Sequence, residues 1–242
     1  MPRTVDTGSD GFPVSDRYRL RRLHERGRYD RASIYPILDA AMLCRIAYII
    51  DGQPYCTPTA FWREADHLYW HGSSASRMLR SQRDGLPVCL TVTHLDSLVL
   101  ARCGFNHSVD YRSAICFGTV HIIDDPREKS RALDRMIDRF YPGRAATLRT
   151  STALELKATT LIGMAIDQAS GKIRSKGVGD EEEDYALPIY AAKFPVSTVI
   201  AEVETCPRMP EGVVRPPGLA PFTPGRRLDD IMLETRRTGG LP

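Results

Sequence analysis

The dipeptide Asp51-Gly52 stands between "CRIAYII" and "QPYCTPTAFWR", and no other feature constrains the fold as much. A two-residue hairpin loop needs positive φ at both central positions, which Gly takes freely and Asp tolerates. An antiparallel pair is therefore set early in the chain. "HLYWHG" follows a turn at Glu64 to Asp66, so three consecutive antiparallel strands are expected. Pro58 falls inside the second of them. Proline is accommodated in a sheet only at an edge or a bulge, so backbone groups near it are free to turn toward something other than a strand.

Further along, "PVCLTVTHLDSLVLARC" reads as a second hairpin turning about Asp96, and "YRSAICFGTVHII" as a strand running to Asp124. Strands from about Leu154 to Ala169 and Tyr190 to Val203 enclose an acidic loop. Helices are few. Asp30 or Ser33 caps one running to about Met42, and a short one spans Ser76 to Arg83. Asp124 or Asp125 before Pro126 opens a longer one that Pro142-Gly143 stops. The fold class is mainly β, most simply an antiparallel β-barrel with flanking helices. Residues 1–26 form a basic N-terminal arm, mobile or draped over a surface up to about Tyr18. Residues 205–242 form a Pro/Arg-rich extended tail with one or two helical turns at Leu228 to Thr235.

Charge and cysteine usage narrow the function classes. A net charge of +3 is too weak to indicate nucleic acid, and the basic run "RYRLRRLHERGRYDR" has few aromatics to stack bases, so it reads as a solvated arm. No apolar run reaches the ~20 residues of a membrane span, and the first residues lack the apolar core of a signal peptide, which places the protein in the cytoplasm. Cys44, Cys56, Cys89, Cys103, Cys116 and Cys206 form no CxxC pair, so buried thiols are expected and no metal site. His67 and His71 share a strand face, which is a weak zinc signal.

"YWHGSSASRMLRSQ" changes character midway. A phosphate needs N–H groups, hydroxyls and a cation converging on one point, with small residues to let the backbone approach. Ser73, Ser74 and Ser76 supply hydroxyls and Arg77 a guanidinium fork. Taken alone, the stretch reads more readily as a capped surface helix with an ordinary exposed arginine.

In order, "RGRYDR", "DGQPYCTPTAFWR", "LYWHGSSASRMLR", "VCLTVTHLDSLVLAR", "NHSVDYRSAICFG" and "ELKAT" resemble the FMN-binding split barrels related to pyridoxamine 5'-phosphate oxidase, in the branch of nitroimidazole-resistance-like flavoproteins. The likeness runs from about Gly27 to Pro195 and implies a split-barrel domain over 27–204. It implies FMN as cofactor, with Pro58, Thr59, Ala60 and Phe61 against the isoalloxazine, Trp70, His71 and Gly72 along the ribityl-phosphate, and Ser76 and Arg77 at the phosphate. The oxidase carries an Arg-Lys pair where this chain has Ser76-Arg77, so Arg112 is the candidate for a second arginine, with Ser113 touching the flavin. Tyr190 and Lys193 are positional matches for the substrate side. Cys44-Arg45 stands where relatives in this branch read Cys-His, so no role for that histidine carries over.

The resemblance further implies a homodimer with flavin at the subunit interface and an FMN-dependent oxidoreductase acting on a small molecule, with electrons from a reduced nicotinamide. The cofactor carries such chemistry, and His71 is the best polar candidate beside the ring. The alternative is a non-catalytic flavin- or haem-binding protein, with His107 available as an axial ligand.

Overall fold

The computed structural model describes residues 10–15, 19–20, 24–82 and 85–238. Arg17, Tyr18, Arg21, Arg22 and Leu23 of the basic run lie outside them, as do Arg83 and Asp84. The elements in chain order are β1 (Gly27–Arg28), α1 (Arg31–Asp39), β2 (Leu43–Ile50), β3 (Gln53–Glu64), β4 (His67–Ser73), α2 (Arg77–Ser81), β5 (Pro87–Leu100), β6 (Ser108–Ile122), α3 (Pro126–Phe140), α4 (Ala153–Ala158), β7 (Thr159–Ala165), β8 (Gln168–Arg174), β9 (Ala192–Pro195) and α5 (Leu228–Thr238). The class is mainly β, as expected, with antiparallel pairing. Among the described residues no helix is long and apolar enough to cross a membrane. The chain divides into two compact units, with β5 and β6 passing through both.

One unit comprises residues 38–90, 117–167 and 198–242. Asp51 and Gly52 take φ of 49° and 75°, and β2 folds back on β3 with Ile50 opposite Gln53 and Leu43 opposite Ala60. The rest of β3 pairs with β4, from Phe61 opposite Trp70 to Glu64 opposite His67. β4 then pairs with β7 along its length, and the end of β6 with β7. α3 starts as predicted, with Asp125 accepting from the Glu128 N–H and Pro126 in the first turn.

Two expectations fail in this unit. The stretch from Leu154 opens as α4 and not as strand, because Thr152 and Glu155 form a reciprocal capping box. The C-terminal segment is no extended tail with a turn or two. α5 runs eleven residues, and Ile231 and Met232 are fully buried with Trp62, Ala132 and Phe140 in one apolar cluster. Beneath it, the buried Arg139 donates to the carbonyls of Asp39 and Met232 and to Thr235 Oγ1, while Arg63 forks onto the Asp39 carboxylate.

The other unit comprises residues 1–37, 91–116 and 168–197. β1 pairs with β8 and the end of β5 with β9. Asp30 caps α1 through the Ser33 N–H, and Ile34 and Ile37 are buried. The start of the chain is not a loose arm throughout. Phe12 and Val14 are buried, Phe12 N–H bonds the Tyr29 carbonyl, and the Arg31 guanidinium lies over the Phe12 ring at 4.5 Å. The second hairpin is also absent, since β5 continues through Asp96. No residue there takes the positive φ a tight turn needs. Asp96 instead accepts a fork from Arg112. The strand expected from Tyr190 to Val203 shrinks to the four residues of β9.

Candidate functional site

β3 changes partner midway, and this leaves one edge of its first part open. Residues 53–60 pair with β2 alone, and β4 takes over only from Phe61. The Phe61 N–H bonds the Met42 carbonyl, so strand alternation aims the odd-numbered groups of this part at β2. The even-numbered groups face the other way. Pro54 and Pro58 are both even, so neither removes an N–H from the β2 ladder, which is why this strand tolerates them. The Pro58 carbonyl and the Ala60 N–H are thereby presented along an edge that carries no strand among the described residues, while the Ala60 carbonyl accepts from Thr59 Oγ1 at 3.4 Å where the β4 ladder begins. Thr59 and Ala60 are half-buried and the Phe61 side chain is buried.

The end of β4 carries the next group. The Trp70 side chain is fully buried and donates to Gln82, and its backbone lies between Phe61 of β3 and Ile162 of β7, so Trp70 shapes this end of the strand without being open to a ligand. His71 is half-buried, and its Nδ1 is buried with no hydrogen-bond partner among the described residues. Burial also lowers the pKa of the ring, favouring neutral imidazole. Gly72 has a packing reason to be glycine: a Cβ there would stand 2.9 Å from Leu79 Cδ1 on α2.

The loop that follows is tied to its surroundings by backbone. Ser74 N–H bonds the Ala158 carbonyl and Ser76 N–H the Ser73 carbonyl. Ser76 sits at the N-cap of α2, yet its hydroxyl makes no capping bond. Arg77 is exposed and has no hydrogen bond or ion pair among the described residues. Met78 and Leu79 anchor the short helix in the core. The loop thus offers a hydroxyl and a guanidinium that the protein itself does not use.

Beside this loop lies a cleft of about 370 Å³ lined by Ser74, Asp124, Lys129, Leu156, Lys157 and Thr160 among others. Lys129 is 9% exposed, and its Nζ donates to the Thr159 carbonyl at 2.9 Å and to that of Leu156 at 3.4 Å. Lys157 is exposed and unpaired among the described residues. Sequence spacing does not signal this cleft, because its lysines belong to two different helices, Lys129 to α3 and Lys157 to α4.

The remaining candidates, His67 apart, belong to the other unit. Arg112 is held by Asp96, and Ser113 Oγ reaches the Lys172 carbonyl at 3.4 Å. Tyr190 is 73% exposed. Lys193 is ion-paired at 2.8 Å with Asp110, a buried carboxylate that also bonds Ser97 and Arg174. His107 is exposed, with Nδ1 2.9 Å from the Cys103 carbonyl, next to Phe105 at 90% exposure. Cys103, Asp180 and Asp184 bring their side-chain heteroatoms within 4.8 Å of one another, but Asp180 is engaged by Arg102. His67 has the His121 ring as neighbour at 6.5 Å, edge to face.

Comparison with known proteins places these elements in a family. The chain is 37% identical to the flavocytochrome Anf3 from Azotobacter vinelandii, covering 87% of this chain and 98% of that one with a TM-score of 0.81. It is 36% identical to the FAD and heme binding protein from Mycobacterium smegmatis, covering 84% of this chain and 98% of that one with a TM-score of 0.78. Among curated proteins nothing matches. Residues 30–173 match the pyridoxamine 5'-phosphate oxidase family, and the antiparallel strands are those of its split barrel. The chain belongs to the pyridoxamine 5'-phosphate oxidase family.

Proposed function

We propose that this protein is a redox flavoprotein that binds FAD and carries haem as a second group. The observation that carries this reading is the likeness at 36–37% identity to a flavocytochrome and to an FAD and heme binding protein, each matched over 98% of its length. The residues present fit a flavin. The open β3 edge offers the Ala60 N–H and the Pro58 carbonyl to a flat polar ring, and the loop after β4 offers Ser76 and Arg77 to a phosphate. FAD and FMN share the isoalloxazine, the ribityl chain and the first phosphate, so this loop serves either. The FAD of the Mycobacterium smegmatis protein favours the dinucleotide over the FMN expected from sequence.

A bound flavin supplies hydride and electron transfer, so the protein needs no acid–base pair of its own. Its residues bind and orient. His71, whose burial favours the neutral ring and whose buried Nδ1 lacks a partner among the described residues, would hydrogen-bond the ring system. Haem, if bound, would be held by His107: the Cys103 carbonyl accepts from Nδ1–H, which would leave Nε2 as the donor to the metal. The same reading makes the protein a homodimer that oxidises or reduces a small molecule, with a reduced nicotinamide as electron source. Exposed Leu43 and Ile49 on β2 are apolar surface that a second subunit would cover.

The absorption spectrum of the purified protein, with mass spectrometry of the released cofactors, tests the proposal. Flavin bands with a Soret band, the latter lost in His107→Ala and retained in His71→Ala, are expected. A colourless protein that takes up no flavin on reconstitution would overturn it. Light scattering on dilution tests the dimer, and a flavin-loaded monomer would refute that part.

A further inference from the structure

We infer that the cleft lined by Ser74, Lys129, Lys157 and Thr160 holds the second phosphate and the adenosine of FAD. This rests on the reading that a flavin's first phosphate sits at Ser76 and Arg77, and it adds where the rest of the dinucleotide goes.

Lys129 is nine-tenths buried, yet its two hydrogen bonds go to neutral carbonyls at the end of α4. An ammonium has three donors, so one remains for an acceptor in the cleft it lines. No carboxylate is ion-paired with it among the described residues. A buried cation without a counter-charge is costly, and an anion arriving from outside removes that cost. Lys157 adds a second positive charge on the same wall. Glu155, the nearest acid in sequence, is occupied by Arg149 and Thr152, so Lys157 too is left to a ligand.

Position selects the anion. Ser74 belongs both to the loop after β4 and to the lining of the cleft, so the cleft begins within three residues of Arg77. A pyrophosphate leaving the Arg77 fork therefore enters next to the two lysines. The same lining includes Leu156, Pro126 and Ala153, apolar surface for a base, and Asp124, an acceptor for ribose hydroxyls or an amino group. A free inorganic phosphate would use the lysines and leave this apolar wall unused. The chemistry recognised is that of an adenosine phosphate, supplied either by FAD itself or by a separate nucleotide.

The test compares FAD and FMN on the full chain freed of flavin, followed by flavin fluorescence. Wild type should bind FAD at least about tenfold more tightly than FMN, the size expected of a hydrogen bond to a charged group. Lys157→Ala, exposed and outside the core, should cost FAD most of that advantage and leave FMN affinity unchanged. Lys129→Met should do the same, and its melting temperature shows whether the loss comes from folding. Equal affinities for FMN and FAD, with Lys157→Ala inert, would overturn the cleft assignment and leave the flavin site standing. Binding of ADP to the FMN-loaded protein without any preference for FAD would assign the cleft to a separate nucleotide and overturn the inference. Failure to bind either flavin would instead sink the underlying function.

Discussion

The Trp70 indole N–H donates to Gln82 Oε1 at 3.1 Å, and both side chains are fully buried. Trp70 precedes the candidate phosphate loop and Gln82 follows its helix, so this one bond clasps the two ends of the segment that carries Ser76 and Arg77. Gln82 Nε2 has no partner among the described residues. Trp70→Phe would leave the whole amide unpaired as well as opening space, and should cost about 2–4 kcal/mol in urea unfolding. Adding Gln82→Leu should recover part of that loss, because no buried amide then remains. A double variant less stable than the single one would show that the clasp contributes nothing.

Arg77 is exposed and without a partner among the described residues, so its replacement should leave folding untouched and act on ligand binding alone. A charge-assisted contact to a phosphate is worth roughly 1.5–3 kcal/mol, so Arg77→Ala should weaken flavin binding by about one to two powers of ten. Arg77→Lys should recover part of this, keeping the charge and losing the planar fork. Arg80, also exposed one turn on, is the control, and alanine there should change little. Fluorescence titration of the four flavin-free proteins decides it. Equal affinities for wild type and Arg77→Ala would return the loop to a capped surface helix.

Asp110 makes stability fall in strong acid. Burial alone would raise its pKa, but hydrogen bonds from Lys193, Ser97, Arg174 and the Gly177 N–H outweigh that and bring it down to about 2 from 3.8. With the folded value below the unfolded one, the stabilisation is complete above pH ~4 and is lost as pH falls through about 2. The shift corresponds to roughly 2 kcal/mol. Urea midpoints measured from pH 5 to pH 2 should fall in wild type more steeply than in Asp110→Asn. Parallel curves would assign the acid sensitivity to other carboxylates.

What could be read in the sequence was what neighbouring residues decide among themselves. Asp51-Gly52 set its own turn, Asp125-Pro126 its own helix start, and Pro58 its own open edge. The capping box of Thr152 and Glu155 was equally local and could have been found from the Thr-x-x-Glu spacing. β5 misled because Asp96 looked like a turn residue, whereas its partner, Arg112, is sixteen positions away. The same distance problem hid the candidate cleft: Lys129 meets the carbonyls of Leu156 and Thr159 only after α3 and α4 have packed. The family resemblance supplied an order of motifs, but it could not show that the Gly72 position is also demanded by Leu79.

α5 was the least legible element, since its residues follow a Pro-rich stretch and its burial depends on an arginine some 90 positions earlier. Arg139, 2% exposed, spends its donors on the Asp39 carbonyl, the Met232 carbonyl and Thr235 Oγ1. Burial lowers its pKa to about 10, with the Asp39 charge opposing that shift, so it stays a cation at neutral pH. Each acceptor is therefore bonded to a charge in a place water does not reach. Thr235→Val keeps the shape and removes one acceptor, and should cost about 1.5–3 kcal/mol. For a chain of this size that is a drop of very roughly 3–12 °C in melting temperature, at about 2–4 °C per kcal/mol. Thr238→Val, three residues on and exposed, is the matched control and should cost less than about 0.5 kcal/mol. Equal small effects at both positions would mean that α5 is held by Ile231 and Met232 alone and that Arg139 does not lock it.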